Sequence, residues 1–129
     1  MSVAAEIARS KQVSLTTYRK DGTPVATPVW QVTDGDEVIV VSEADAWKVK
    51  RIRNNSSVTL TPCDFRGRIP AGAVTVAATA RLLDDAGTAH ARDLLARKYV
   101  MSRVGNWFAR VFRVRRNPMI GIAIRPQEG

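Results

Sequence analysis

The sequence predicts a mainly β protein, a compact barrel of antiparallel strands with small helices inserted between them. Three observations carry that prediction. Short runs alternate apolar with polar residues, glycine-containing turns separate the first of them closely, and the period changes to a helical one in only a few places. The 129 residues suffice for one domain, 1–129, and are too few for two ordinary ones. With 45% apolar residues, the chain can bury roughly 65–70% of its unfolded surface.

Residues 1–11 are expected to be flexible or a short helix. Gln12 to Arg19 alternates, with Val13, Leu15 and Thr17 on one face and Ser14, Thr16 and Tyr18 on the other, as a half-buried strand does. Lys20-Asp21-Gly22-Thr23 follows, and Asp-Gly between two β-like runs marks a hairpin because glycine tolerates positive φ. Thr23 to Val32 reads as a second strand. Pro24 and Pro28 interrupt it, and proline donates nothing to a ladder, so this strand belongs at an edge or carries a bulge. Asp34-Gly35-Asp36 turns the chain into a third strand, Glu37 to Val41. Ser42-Glu43-Ala44-Asp45 has the S-x-x-D spacing of a helix start, which predicts a short helix to about Arg53 with Val49 and Ile52 inward. Ser57 to Cys63 is strand four, 66–70 a loop, and Ala73 to Leu83 strand five. Asp84 and Asp85 suit a helix N-terminus through the macrodipole, with Leu94, Leu95 and Tyr99 supplying part of an apolar face. Val104, Trp107, Phe108, Val111 and Phe112 then fall at i, i+3, i+4, i+7 and i+8, opposite Arg103, Arg110 and Arg113, as an amphipathic helix ending near Arg113. Met119 to Arg125 closes the chain as strand six with Ile120, Ile122 and Ile124 on one face. Six strands of this kind predict closure into a barrel, since a small sheet cannot leave its edges bare.

Composition excludes several classes. No stretch approaches the roughly 20 apolar residues of a membrane span. Met1 to Gln12 carries Glu6, Arg9 and Lys11 without an apolar run, so a cytoplasmic protein without a signal peptide is expected. Cys63 is the single cysteine, which excludes an intrachain disulfide and a cysteine-based zinc site; no metal is expected. The net charge of +8 arises from 20 basic against 12 acidic residues. The seven Arg and Lys from Arg97 to Arg116 meet no acid, and Lys48, Lys50, Arg51 and Arg53 form a second cluster. Such charge attracts anions, whether nucleic acid, phospholipid or a phosphorylated small molecule.

Side-chain catalysis finds little support. His90 stands alone on a predicted helix and reads as a surface or packing residue. Cys63 at a strand end reads as a small buried hydrophobe. Glycine-rich phosphate loops and serine-hydrolase or zinc motifs are absent, so an enzyme built on this chain would take its chemistry from a bound cofactor. The segment from Ser42 to Arg53 is the best candidate to hold one: a helix N-terminus offers amides to an anion, and Lys48 and Arg51, three apart, share a face while Lys50 points elsewhere. The plain alternative is a solvated basic face over a packed Val49/Ile52 stripe. The Arg103–Arg116 segment reads as a cover for the barrel in preference to a lipid-binding helix, and no nucleic-acid recognition motif accompanies it.

The segment from Val13 to Trp30, VSLTTYRKDGTPVATPVW, resembles the opening of deazaflavin-dependent oxidoreductases of the pyridoxamine-phosphate-oxidase-like, split-β-barrel superfamily. SEADAWKVKRIR (42–53), VTLTPCDFRG (58–67) and RKY (97–99) agree in order, so the resemblance spans about Gln12 to Pro126. The chain departs from the pattern at Trp47, where a small residue is expected, and at Asn55-Ser56, which stand for a Pro-Arg pair. The resemblance implies a split β-barrel, a homodimer with cofactor at the subunit interface, and use of coenzyme F420, with flavin mononucleotide (FMN) as the superfamily's other common ligand. It implies that Lys48, Lys50 and Arg51 hold the cofactor phosphate with Ser42 at the helix start. It further implies that Pro24, Val25, Ala26, Thr27 and Pro28 line the ring pocket through backbone groups. The activity implied is hydride transfer between reduced F420 and a small organic substrate, with Tyr18, Tyr99 or solvent supplying the proton. The alternatives are an FMN-dependent oxidase or reductase of the same fold, and a non-enzymatic protein that carries cofactor or binds anionic lipid.

Overall fold

The structure is a computed structural model that describes residues 7, 10–64, 66–99 and 118–127. Its strands are β1 (Gln12–Tyr18), β2 (Pro24–Trp30), β3 (Val32–Asp34), β4 (Glu37–Glu43), β5 (Ser57–Cys63), β6 (Val76–Leu82) and β7 (Met119–Pro126). Helix α1 (Trp47–Asn54) lies between β4 and β5, and α2 (Asp85–Tyr99) between β6 and β7. The predicted amphipathic helix around Trp107 to Phe112 falls outside the described residues. Among the described residues, no helix is long and apolar enough to cross a membrane.

All seven strands form one antiparallel sheet in the order β2-β1-β5-β6-β7-β4-β3. The sheet is the mainly β, curled architecture that the alternation predicts. Two details differ from the sequence reading. The second strand is two strands, because the chain breaks at Gln31: β2 pairs with β1, whereas β3 pairs with β4. These two halves are the opposite ends of the sheet, so the curl is joined through a single residue instead of by a ladder between its edges. Gln31 is fully buried there, and its side chain satisfies its own polarity. Nε2 donates to the carbonyls of Ile7 (2.8 Å) and Ser10, and Oε1 accepts from Thr33 (3.4 Å). Lys98 of α2 donates to the Gln31 carbonyl at 2.9 Å, which ties the helix to the break. β6 also starts later than expected, at Val76 instead of Ala73, because 73–75 belong to the preceding loop.

The interior is aliphatic and follows the period of two. Val13, Leu15, Val38, Val40, Val58, Leu60, Ile122 and Ile124 are buried together, with Ile7, Val49 and Ile52 packed among them. Ile120 joins from the edge, as the alternation in β7 requires. On the outer face Ile39 and Ala123 meet Ala91 of α2, while Leu95 packs on Trp30, Val32 and Val41. Asp84 starts α2 as expected, its Oδ1 accepting from the Gly87 amide at 2.7 Å.

Candidate functional site

Helix α1 is only eight residues long and too short to be stable alone. Val49 and Ile52 hold it by entering the barrel core, each worth about 1.5–3 kcal/mol of buried side chain. The helix begins at Trp47 after Ala46, which offers no side-chain cap, and not at Ser42. Ser42 lies in β4 instead, nearly buried, with Oγ donating to the Glu43 carbonyl at 3.2 Å. The S-x-x-D signal misleads because the strand runs on to Glu43 and a turn at 44–46 separates it from the helix.

Anchoring through Val49 and Ile52 turns the opposite side of α1 outward. Trp47, Lys50, Arg51 and Asn54, spaced i, i+3, i+4 and i+7, line a cleft of about 440 Å³ with Tyr18, Arg19 and Lys20. The last three come from the end of β1 and the turn that follows it. That turn is set by Gly22 at φ +89° and by Asp21, whose Oδ1 accepts from the Thr23 amide at 2.9 Å. Hydrogen bonding from Thr23 also lowers the Asp21 pKa. Lys50 therefore faces the cleft beside Arg51, a correction to the expectation that it points elsewhere. Lys48 is half-buried and is not among the lining residues. At about 100° per residue, the Trp47–Asn54 stripe lies between Lys50 and Arg51, while Lys48 falls toward Ile52 at the edge of the core.

The cleft holds four cationic side chains, Arg19, Lys20, Lys50 and Arg51, and no carboxylate lines it. Arg51 is oriented: its Nε donates to Oγ1 of the buried Thr17 at 2.6 Å. Lys50 is held too, with Nζ 4.4 Å from the centre of the Trp47 ring, a cation–π contact. The Lys48 pKa is lowered, first by burial and then by the charge of Arg51. Like charges gathered around a concave surface repel each other and focus field on an anion. A phosphate, with acceptors on every side, matches these donors.

Of the proline-interrupted strand, none of residues 24–28 lines this cleft; the strand is related to it through its pairing with β1. β2 is an edge of the sheet, as its prolines require, and its register sets Pro24 opposite Tyr18 and Val25 opposite Thr17, the residue that holds Arg51. Pro24, Ala26 and Pro28 are exposed, Val25 and Thr27 half-buried. Among the described residues the hydroxyl of Thr27 is buried without a hydrogen-bond partner. A phosphate-bearing cofactor therefore finds a fitting donor set in the cleft, whose Tyr18 pairs with Pro24 at the start of the edge strand.

The other sequence candidates fall elsewhere. Tyr99 ends α2, which packs on β7, β4 and β3. His90 lies exposed on α2, 3.4 Å from Asp34, in a second cleft of about 400 Å³. Arg81 is paired there with Glu37 at 3.0 Å, and Asp34, Glu37 and Asp84 all line the cleft, so it offers an anion no cluster of cations. Cys63 is buried, and burial followed by the Asp64 charge raises its pKa, which keeps the thiol protonated and a poor nucleophile. No cluster of three metal-ligating side chains exists among the described residues. Sequence reasoning missed Thr17, Arg19, Lys20, Asn54 and the Trp47–Lys50 contact as site elements. The i, i+3, i+4, i+7 spacing of 47, 50, 51 and 54 would have shown the last.

Comparison with solved structures finds the same fold at low identity. An F420 reductase superposes with a TM-score of 0.66 at 20% identity, covering 95% of this chain and 91% of that one. The heme storage protein HutZ from Vibrio cholerae gives 0.69 at 16% identity over 100% of this chain and 93% of that one. A conserved hypothetical protein from Mycobacterium tuberculosis gives 0.70 at 16% identity over 98% and 82%. Sequence comparison with curated proteins finds no match. The family model described as pyridoxamine 5'-phosphate oxidase matches residues 2–128. By that match over nearly its whole length, the chain belongs to the pyridoxamine 5'-phosphate oxidase family.

Proposed function

We propose that this protein is an oxidoreductase that transfers a hydride between coenzyme F420 and a small organic substrate. The observation that carries the reading is the cleft of four cations without a carboxylate, whose Tyr18 pairs with the edge strand β2. Membership of a family named for an oxidase supports redox chemistry. In its reduced form the cofactor supplies the hydride, so the substrate gains two electrons and needs one proton.

The chain's own residues bind and orient. Arg51, fixed by Thr17, and Lys50, fixed by Trp47, hold the cofactor phosphate, with Arg19 and Lys20 adding charge from the turn and Lys48 from the edge of the core. The backbone of 24–28 borders the ring. Positioning of two reactants is the main service such a site performs. Tyr18, which lines the cleft, is a candidate to deliver the proton, with Tyr99 and solvent as the others.

The test is a titration of purified protein with F420, followed by ligand fluorescence. Charge-assisted hydrogen bonds contribute about 1.5–3 kcal/mol each, so Lys50→Ala with Arg51→Ala is expected to weaken binding by about 100-fold or more. Unchanged affinity in that double variant would end the reading. A second reading, an FMN enzyme, is favoured by the family itself; equal or tighter binding of FMN than of F420 would make it the better one.

The reading includes a homodimer with the cofactor near the subunit interface. The outward Pro24, Ala26 and Pro28 form an exposed apolar stripe on an edge strand next to the cleft. Light scattering is expected to give twice the 14.2 kDa chain mass, and a mass of 14.2 kDa would contradict it.

A further inference from the structure

Trp47 is 71% exposed, the most exposed of the large apolar side chains described. An indole of that size left in water gives up the burial its area would earn. It does not pack on the core; it stands at the first turn of α1 on the cleft wall, with the Lys50 ammonium 4.4 Å from its ring centre. The cleft volume of about 440 Å³ lies within the range of small-molecule sites and exceeds what a phosphate group alone would fill. An anionic group bound by Lys50 and Arg51 comes to rest within reach of the indole, because Lys50 is shared between the two.

We infer that Trp47 is a specificity-determining residue: its ring is a platform on which a planar group of a phosphate-bearing ligand stacks, so that the cleft selects ring-bearing phosphates over aliphatic ones. Lys50 couples the two halves of the recognition, lying against the ring and drawing the phosphate toward it. The inference rests on the reading of the cleft as a phosphate site and adds to it a preference that charge alone does not produce.

The test compares two simple phosphate monoesters, phenyl phosphate and glycerol 3-phosphate, in calorimetric titrations of the full chain. Stacking on an indole is expected to favour phenyl phosphate by about tenfold or more. In Trp47→Ala that ratio is expected to fall to near one, and in Trp47→Phe to stay well above one; melting curves check that both variants fold. Lys50→Gln is expected to weaken both esters. If both esters bind the unaltered protein equally, or the ratio survives Trp47→Ala, the platform is overturned while the phosphate site stands. If neither ester binds, the phosphate site fails, and the platform fails with it.

Discussion

Arg51 shows how a surface cation becomes a binding group. A solvated arginine samples many rotamers, and ordering it costs about 1.5–2 kcal/mol on binding. The 2.6 Å hydrogen bond to Thr17 meets part of that cost in advance, because Thr17 is itself fixed in the barrel wall. Lys48 differs, since burial and the neighbouring Arg51 disfavour its charge. A folded pKa below the ordinary lysine value means that folding stability rises as pH climbs through the interval between the two. Ligand binding has the opposite sign. An anion favours the charged amine and raises its pKa in the complex, so affinity is highest below the lowered pKa of the free protein and falls as pH rises through it. Phosphate-ligand affinity measured from pH 7 to 10.5 is therefore expected to decline earlier than an ordinary lysine would cause, and Lys48→Met is expected to flatten that early decline.

At the scale of elements, α2 and β7 come unusually close, and Gly121 makes the approach feasible. A Cβ there would lie 2.9 Å from Leu83 Cδ1, 3.1 Å from Ala91 Cβ and 3.3 Å from the Thr88 backbone. The Gly121 amide donates to Thr88 Oγ1 at 2.9 Å, and the Leu83 amide donates back to the Gly121 carbonyl at 2.9 Å. Gly121→Ala is expected to lower stability by about 1–3 kcal/mol in urea unfolding, because the Leu83 side chain must turn away and α2 must give way slightly at Ala91 and Thr88. The elements also show what the sequence made legible. Alternation placed the strands and their inward faces, since Val13, Leu15, Ile122 and Ile124 report the period directly. It could not show the break at Gln31, where a polar residue sits in an apolar run and is satisfied by Ile7, Ser10 and Thr33. Nor could it find the true start of α1, because Ser42-x-x-Asp45 carries the same letters whether the chain turns there or continues as strand. The Thr17–Arg51 bond joins residues 34 apart and leaves no local trace. The spacing of Lys48 and Arg51 does not show which way Lys50 faces, because Val49 and Ile52 set the orientation of the helix by being buried.

For the whole molecule, the curl of the sheet brings the site together. β1 ends at Tyr18 beside α1 because the helix caps the barrel through the same core that β1 lines. β2 follows β1 by a tight turn, so the edge strand starts opposite Tyr18, one of the residues that line the cationic cleft. The net charge of +8 then acts as more than solubility, since part of it converges on one concave surface. The second cleft has the opposite character, since Asp34, Glu37 and Asp84 line it with Arg81 and His90, so carboxylates outnumber its one permanent cation.

The most direct measurement is amide chemical-shift mapping of the isotope-labelled protein during titration with F420. The largest shifts are expected at 18–20 and 47–54, with smaller ones along 24–28. Shifts concentrated around Asp34, His90 and Asp84, with 47–54 unmoved at saturation, would contradict a cofactor grip by the basic face of α1.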